Sequence, residues 1–159
     1  MSKLFSPYSL GSLELSNRIA IAPMCQYSAV DGLPTDWHMI HLGNLALSGA
    51  ALLIIEATAV TPEGRISPDD LGLWSDAHFQ ALRPVVQTIR NHSPIKIAVQ
   101  LAHAGRKASS EVPWEGGANI APDQPRGWQT VAPSSLPHAD GETVPLALDQ
   151  EGLQRIKDG

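Results

Sequence analysis

The chain has 159 residues, 43% of them hydrophobic, with 11 basic and 16 acidic side chains for a formal net charge of −5. That acidic balance, with no basic run, argues against nucleic acid or an anionic membrane as the main partner. One cysteine rules out an intramolecular disulfide and a cysteine-based zinc or iron–sulfur site. No run approaches the roughly 20 apolar residues of a membrane helix, and the opening residues lack the apolar core of a signal peptide, so a soluble cytoplasmic protein is expected.

Residues 4–15 carry Pro7, Gly11 and alternating apolar positions, which predicts a small hairpin. Residues 19–22 form a short core strand, ended by Pro23 because proline cannot donate to a ladder. Asp31-Gly32 is a turn signal. Thr35 or Asp36 caps a helix running to about residue 48, with Trp37, Ile40, Leu45 and Ala46 near one face and Gly49 as its stop. Ala51-Leu52-Leu53-Ile54-Ile55-Glu56 is apolar without alternation until its last residue, the pattern of a strand buried on both faces. Residues 58–74 predict a long loop. Ser75 or Asp76 caps a second helix with Phe79, Leu82, Val85, Val86 and Ile89 at helical spacing and Pro84 inside the pattern. A third strand spans 95–101. Residues 108–147 are rich in Pro, Gly, Ser and Asp and predict a lid or irregular excursion, followed by a cap at Asp149 and the start of a further helix over 148–159.

The order strand–helix–strand–helix–strand predicts an α/β fold with right-handed parallel crossovers. Three such strands do not close a (β/α)8 barrel, which takes roughly 250 residues. The expectation is the N-terminal portion of a TIM barrel: a hairpin over 1–16, three strands and two helices over 17–107, the excursion over 108–147, and a truncated helix.

Chemistry-bearing residues gather at the predicted strand ends, where α/β enzymes place their sites. Cys25 reads either as a buried structural thiol or as a thiol facing a cofactor or substrate; thiolate catalysis would need a base such as His38, His41 or His103. Tyr27 is either an amphipathic loop residue or a hydrogen-bond donor to a bound carbonyl. His38 and His41 share a helix face but lack a third metal ligand with clear spacing, so capping or packing is the stronger reading. Gln100 is polar within an apolar strand, and its amide must bond either within the sheet or to a ring bearing donors and acceptors. Glu56 at its own strand end reads the same way. Arg106 and Lys107 face either an anion or solvent. No Gly-x-Gly-x-x-Gly or P-loop pattern is present.

Six ordered segments carry a resemblance: Asn17-Arg18-Ile19; Ala22-Pro23-Met24-Cys25-Gln26-Tyr27; Glu56-Ala57-Thr58-Ala59-Val60; Pro62-Glu63-Gly64-Arg65-Ile66; Gly72-Leu73-Trp74-Ser75-Asp76; and Gln100 through Ala108. Together they resemble the Old Yellow Enzyme family of flavin-dependent ene-reductases, in the bacterial branch of YqjM and xenobiotic reductase A. The resemblance implies a TIM barrel with non-covalent FMN, reduced by NADPH or NADH, that passes hydride to an alkene conjugated to a carbonyl or nitro group. It implies that Ala22, Pro23, Met24, Cys25, Ala57 and Gln100 line the flavin, that Cys25 tunes flavin and substrate without acting as a nucleophile, and that Tyr27 contacts the substrate carbonyl. It also implies a homo-oligomer when complete.

The family's His-x-x-His-Gly-Tyr segment, which holds the substrate, has no counterpart in these residues, nor do its later flavin-binding arginine and phosphate-gripping backbone. The expectation is therefore a chain that alone neither holds FMN tightly nor turns over, and whose partner is the remaining barrel half. The alternative is a non-catalytic complementation module. A Cys–His hydrolase is disfavoured by the missing nucleophile elbow.

Overall fold

A computed structural model describes residues 2–159. A 3-10 turn at Lys3–Phe5 leads into the predicted hairpin, β1 (Tyr8–Leu10) antiparallel to β2 (Leu13–Leu15). Alternation on β2 points Leu13 and Leu15 onto Ala51, Leu52, Ile54 and Ala98, so the hairpin packs near the starting ends of the main strands.

The main unit follows as β3 (Ala20–Ile21), α1 (Asp36–Ala46), β4 (Leu52–Ala59), β5 (Leu71–Gly72), α2 (Asp76–His92) and β6 (Lys96–Ala102). All pairings in this sheet are parallel. β6 occupies one edge of β4 along its length, while β3 and β5 share the other. Leu53 and Ile55 of β4 are 0% and 1% exposed, packed with Leu42 and Ala46 of α1 and with Leu82, Val85 and Ile89 of α2. Burying such aliphatic side chains stabilises the fold by roughly 1.5–3 kcal/mol each. This helix-covered layer is the core.

Three details differ from the sequence reading. α1 turns inward on His38, Leu42 and Ala46, not on Trp37 and Ile40, which are largely exposed. The helix rotates because His38 is recruited into its own capping box: the Thr35 amide donates to His38 Nδ1 at 2.9 Å. β4 runs on to Ala59, since β5 and β6 both pair with its last residues, so the loop over 58–74 contains strand. Phe79 is more than half exposed despite its helical spacing. Pro84 lies within α2, inside the apolar pattern where the spacing put it.

The predicted turn at 31–32 has positive φ at both residues, 51° and 77°, and Val30 and Leu33 exchange backbone hydrogen bonds across it. The ring of Trp74 lies against both Gly32 and Gly72, where a Cβ would collide with it.

The excursion after β6 is tied to the loop before β5. The Ser110 amide donates to Ile66 O at 2.9 Å, Trp128 Nε1 donates to Glu63 O at 3.0 Å, and Arg126 forks onto Asp69 at 2.6 and 2.7 Å. The Arg65 guanidinium lies over the rings of Trp74 and Trp128. Within the excursion β7 (Val131–Ala132) pairs in parallel with β8 (Leu146–Ala147), a short ladder the Pro-rich sequence does not signal. α3 (Gln150–Asp158) begins at its predicted cap, Asp149, whose side chain accepts from the Gly152 amide at 2.8 Å; Arg155 pairs with Glu63. Among the described residues no helix is long and apolar enough to cross a membrane.

Candidate active site at three strand ends

The site is built where β3, β4 and β6 finish. Past β3 the chain turns through Pro23 to Ser28, and hydrogen bonds fix nearly every step. The Gln26 amide donates to Glu56 Oε1 at 3.0 Å, Gln26 Nε2 donates to Met24 O at 2.9 Å, and Trp37 Nε1 donates to Gln26 Oε1 at 3.0 Å. Ser28 Oγ donates to Gln26 O, and Thr35 Oγ1 to Ser28 O, each at 2.9 Å. Tyr27 sits at φ 48°, a left-handed conformation costly for a bulky residue and sustained by this network.

Cys25 is half-buried, with its thiol close to the Tyr27 side chain and the Ala57 backbone. Burial pushes the thiol pKa up, and the negative charges of Asp70 and Glu56 push the same way. Burial also raises the Tyr27 phenol, with Cys25 and Asp70 adding to it. Both groups are therefore protonated at neutral pH. None of the histidines named as possible bases is a hydrogen-bond partner of Cys25; the thiol is a neutral wall, not an activated nucleophile.

A bulge in β4 falls between Ile55 and Ala57. It turns the Glu56 side chain into the protein, 2% exposed, and places Ala57 directly opposite Gln100 of β6. Cys25, Ala57 and Gln100 thus form one continuous rim, preceded on the β3 side by Ala22, Pro23 and Met24, of which Met24 is largely exposed. Gln100 is exposed, not the buried amide its apolar strand suggests, because β6 is an edge strand with an open inner face. Above the rim, Trp114 from the excursion meets Tyr27 edge-to-face, with ring centroids 5.5 Å apart. Trp114 is a neighbour of the candidate rim that sequence reasoning did not assign to it; an aromatic in a Pro- and Gly-rich loop was its one signal.

The remaining candidates divide cleanly. His38 caps α1, and His41 stacks on Trp37 at 5.8 Å. His103 Nδ1 accepts from the Gly105 amide at 3.1 Å, Arg106 donates to Ser134 Oγ at 3.1 Å, and Lys107 faces solvent. Glu56 is the other underrated residue. Burial raises its pKa to about 7 against the opposing pull of the Gln26 amide.

A family model described as the NADH:flavin oxidoreductase / NADH oxidase family matches residues 3–137. The chain belongs to this family. It is 41% identical over 159 residues to an NADH:flavin oxidoreductase of Gibberella zeae, covering 98% of this chain and 38% of that protein. It is 45% identical over 157 residues to an NADPH dehydrogenase of Geobacillus thermodenitrificans, covering 97% of this chain and 44% of that one. Morphinone reductase superposes with a TM-score of 0.78 at 32% identity, over 98% of this chain and 42% of its own. An Old Yellow Enzyme from Pichia sp. shares the fold with a TM-score of 0.79 at 23% identity, over 98% of this chain and 40% of its own. The chain thus spans about two fifths of the length of these oxidoreductases and has the α/β architecture of the N-terminal part of their barrels.

Proposed function

We propose that this chain forms one wall of the active site of an NAD(P)H-dependent flavin oxidoreductase, an ene-reductase acting on alkenes activated by a carbonyl or nitro group. The observation that carries the reading is the rim itself: Ala57 and Gln100 face each other in register, and the half-buried Cys25 thiol lies close to the Ala57 backbone. Among the described residues no hydrogen bond occupies the Gln100 carboxamide, so its donor and acceptor remain open to a ligand at a strand end. Those groups fit the edge of an FMN ring, and the rim's small Ala22 and Ala57 let a flat ring approach closely.

When bound, FMN supplies the two-electron chemistry between nicotinamide and alkene. The chain supplies position and polarity. Gln100 bonds the ring edge, Ala22, Pro23, Met24 and Ala57 line it, and Cys25 presents a protonated thiol beside it. Tyr27, held by its left-handed turn and by Trp114, directs its hydroxyl to the substrate oxygen. Substrate-holding histidines and phosphate contacts would come from the rest of a barrel. A second reading, a module that complements the rest of a barrel without turning over itself, is favoured by the open edge of β6.

The test is a complete barrel carrying these residues, assayed for flavin absorbance and NADPH-dependent reduction of a cyclic enone. Cys25→Ser retains turnover with altered KM, and Tyr27→Phe lowers kcat/KM by about 10-fold or more. Loss of all turnover in Cys25→Ser, or a barrel that retains no flavin, overturns the reading.

A further inference from the structure

Resting on that reading of the rim, we propose that Glu56 is the positioning residue of the site: it holds the Cys25–Tyr27 turn through the Gln26 amide, and its charge, together with that of Asp70, opposes thiolate formation at Cys25. The geometry is specific. Glu56 Oε1 accepts from the amide of Gln26, the residue between the thiol and the phenol, at 3.0 Å. That bond crosses from β4 to the segment after β3 and pins the turn in which Tyr27 stands at φ 48°.

The other carboxyl oxygen has no partner among the described residues. Glu56 Oε2 and His38 Nε2 are both buried and unpaired, 3.9 Å apart, with side chains 2% and 0% exposed. Because His38 Nδ1 accepts from the Thr35 amide, a neutral imidazole carries its proton on Nε2, facing the carboxyl group. The groups around Glu56 are His38 and His41 of α1, Asp70 of the loop before β5, and Cys25 and Tyr27 themselves. No cation other than a histidine is among them. A small cavity of about 150 Å³ also adjoins the carboxyl, lined by Ala22, Met24, His41 and Leu45 among others. An uncompensated buried carboxyl gives up its charge readily. Its ionisation, pushed by burial to about pH 7, places a negative charge beside the thiol and opposes thiolate formation.

Cys25 is the chain's one cysteine, so iodoacetamide alkylation of the full chain, read as added mass, reports this thiol alone. In that probe reaction the thiolate displaces iodide, a C–S bond forms, and the thiol proton goes to solvent. The logarithm of the rate against pH is expected to flatten near pH 7, where Glu56 ionises. Glu56→Gln keeps an oxygen for the Gln26 amide but no charge. It should remove the flattening and raise the rate above neutrality between about three- and tenfold. A flattening that persists in Glu56→Gln belongs to His41, His38 or Asp70 and overturns the proposal, as does a wild-type profile without one. If Glu56→Gln fails to fold by circular dichroism, His38→Gln serves instead. It leaves Glu56 ionisable, so the flattening must survive with a shifted midpoint, and an unshifted midpoint overturns the pairing. No arm requires flavin, so failure of the flavin reading and failure of this proposal are separately visible.

Discussion

The two faces of the β4–β6 sheet are built on opposite terms. The outer face, under α1 and α2, is closed: Leu53 and Ile55 have essentially no contact with solvent. The inner face and rim are open, with Met24 69% exposed and the Gln100 side chain exposed on that face. Apolar burial holds the first and directs the fold. The second keeps groups in place without satisfying them, as a surface meant to receive something does. Glu56 sits at the junction, a polar group drawn into the closed side by the bulge while its hydrogen bond serves the open side.

The sharpest way to break the contrast between covered and open regions is to truncate a leucine of the covered strand β4 and one of the open edge strand β6. Leu53→Ala leaves a hole in a layer that cannot collapse and should cost about 3 kcal/mol. Leu101→Ala removes a mostly exposed side chain and should cost less than about 0.5 kcal/mol. Urea denaturation of both variants measures the difference, and similar costs would mean that the edge strand is packed as tightly as the covered one.

A smaller effect sharpens the role of the junction. Glu56 carries a raised pKa of about 7 in the fold against 4.5 for an unperturbed glutamate. The folded state therefore binds more protons between these values. Its contribution to stability is full below 4.5 and is lost as pH rises through about 7. Glu56→Gln should remove that slope, worth roughly 1–3 kcal/mol, and gain on the wild type above neutrality. Thermal melts across that window check it; parallel curves for the two proteins would refute it.

Much of this architecture was legible because its signals are local. The uninterrupted run Leu52 to Ile55 announced a doubly covered strand, and Asp31-Gly32, Thr35, Ser75 and Asp149 marked turn and caps from their own chemistry. The failures are places where tertiary partners overrule the local pattern. The capping role read for His38 holds, but its burial beside Glu56 was not legible, and it goes with a helix face turned away from Trp37 and Ile40. Gln100 looked buried because its neighbours are apolar, but an edge strand exposes even its valine and leucine. The bulge at Glu56, the Tyr27 backbone and the approach of Trp114 depend on chain segments far apart in sequence, which no local spacing encodes. The proposed rim residues were singled out through resemblance and position together; the groups that brace them are seen in the structure.

The most direct test of the account is a flavin titration, read by quenching of flavin fluorescence, of the chain and its Gln100→Leu variant with FMN and riboflavin in parallel. The account predicts weak, saturable binding of both flavins to a similar degree, because the rim offers contacts to the ring and not to the phosphate. Gln100→Leu should weaken both by about five- to tenfold, the worth of roughly one hydrogen bond, with no change in melting temperature. Equal affinity in the wild type and Gln100→Leu would contradict the assignment of this rim as the flavin wall.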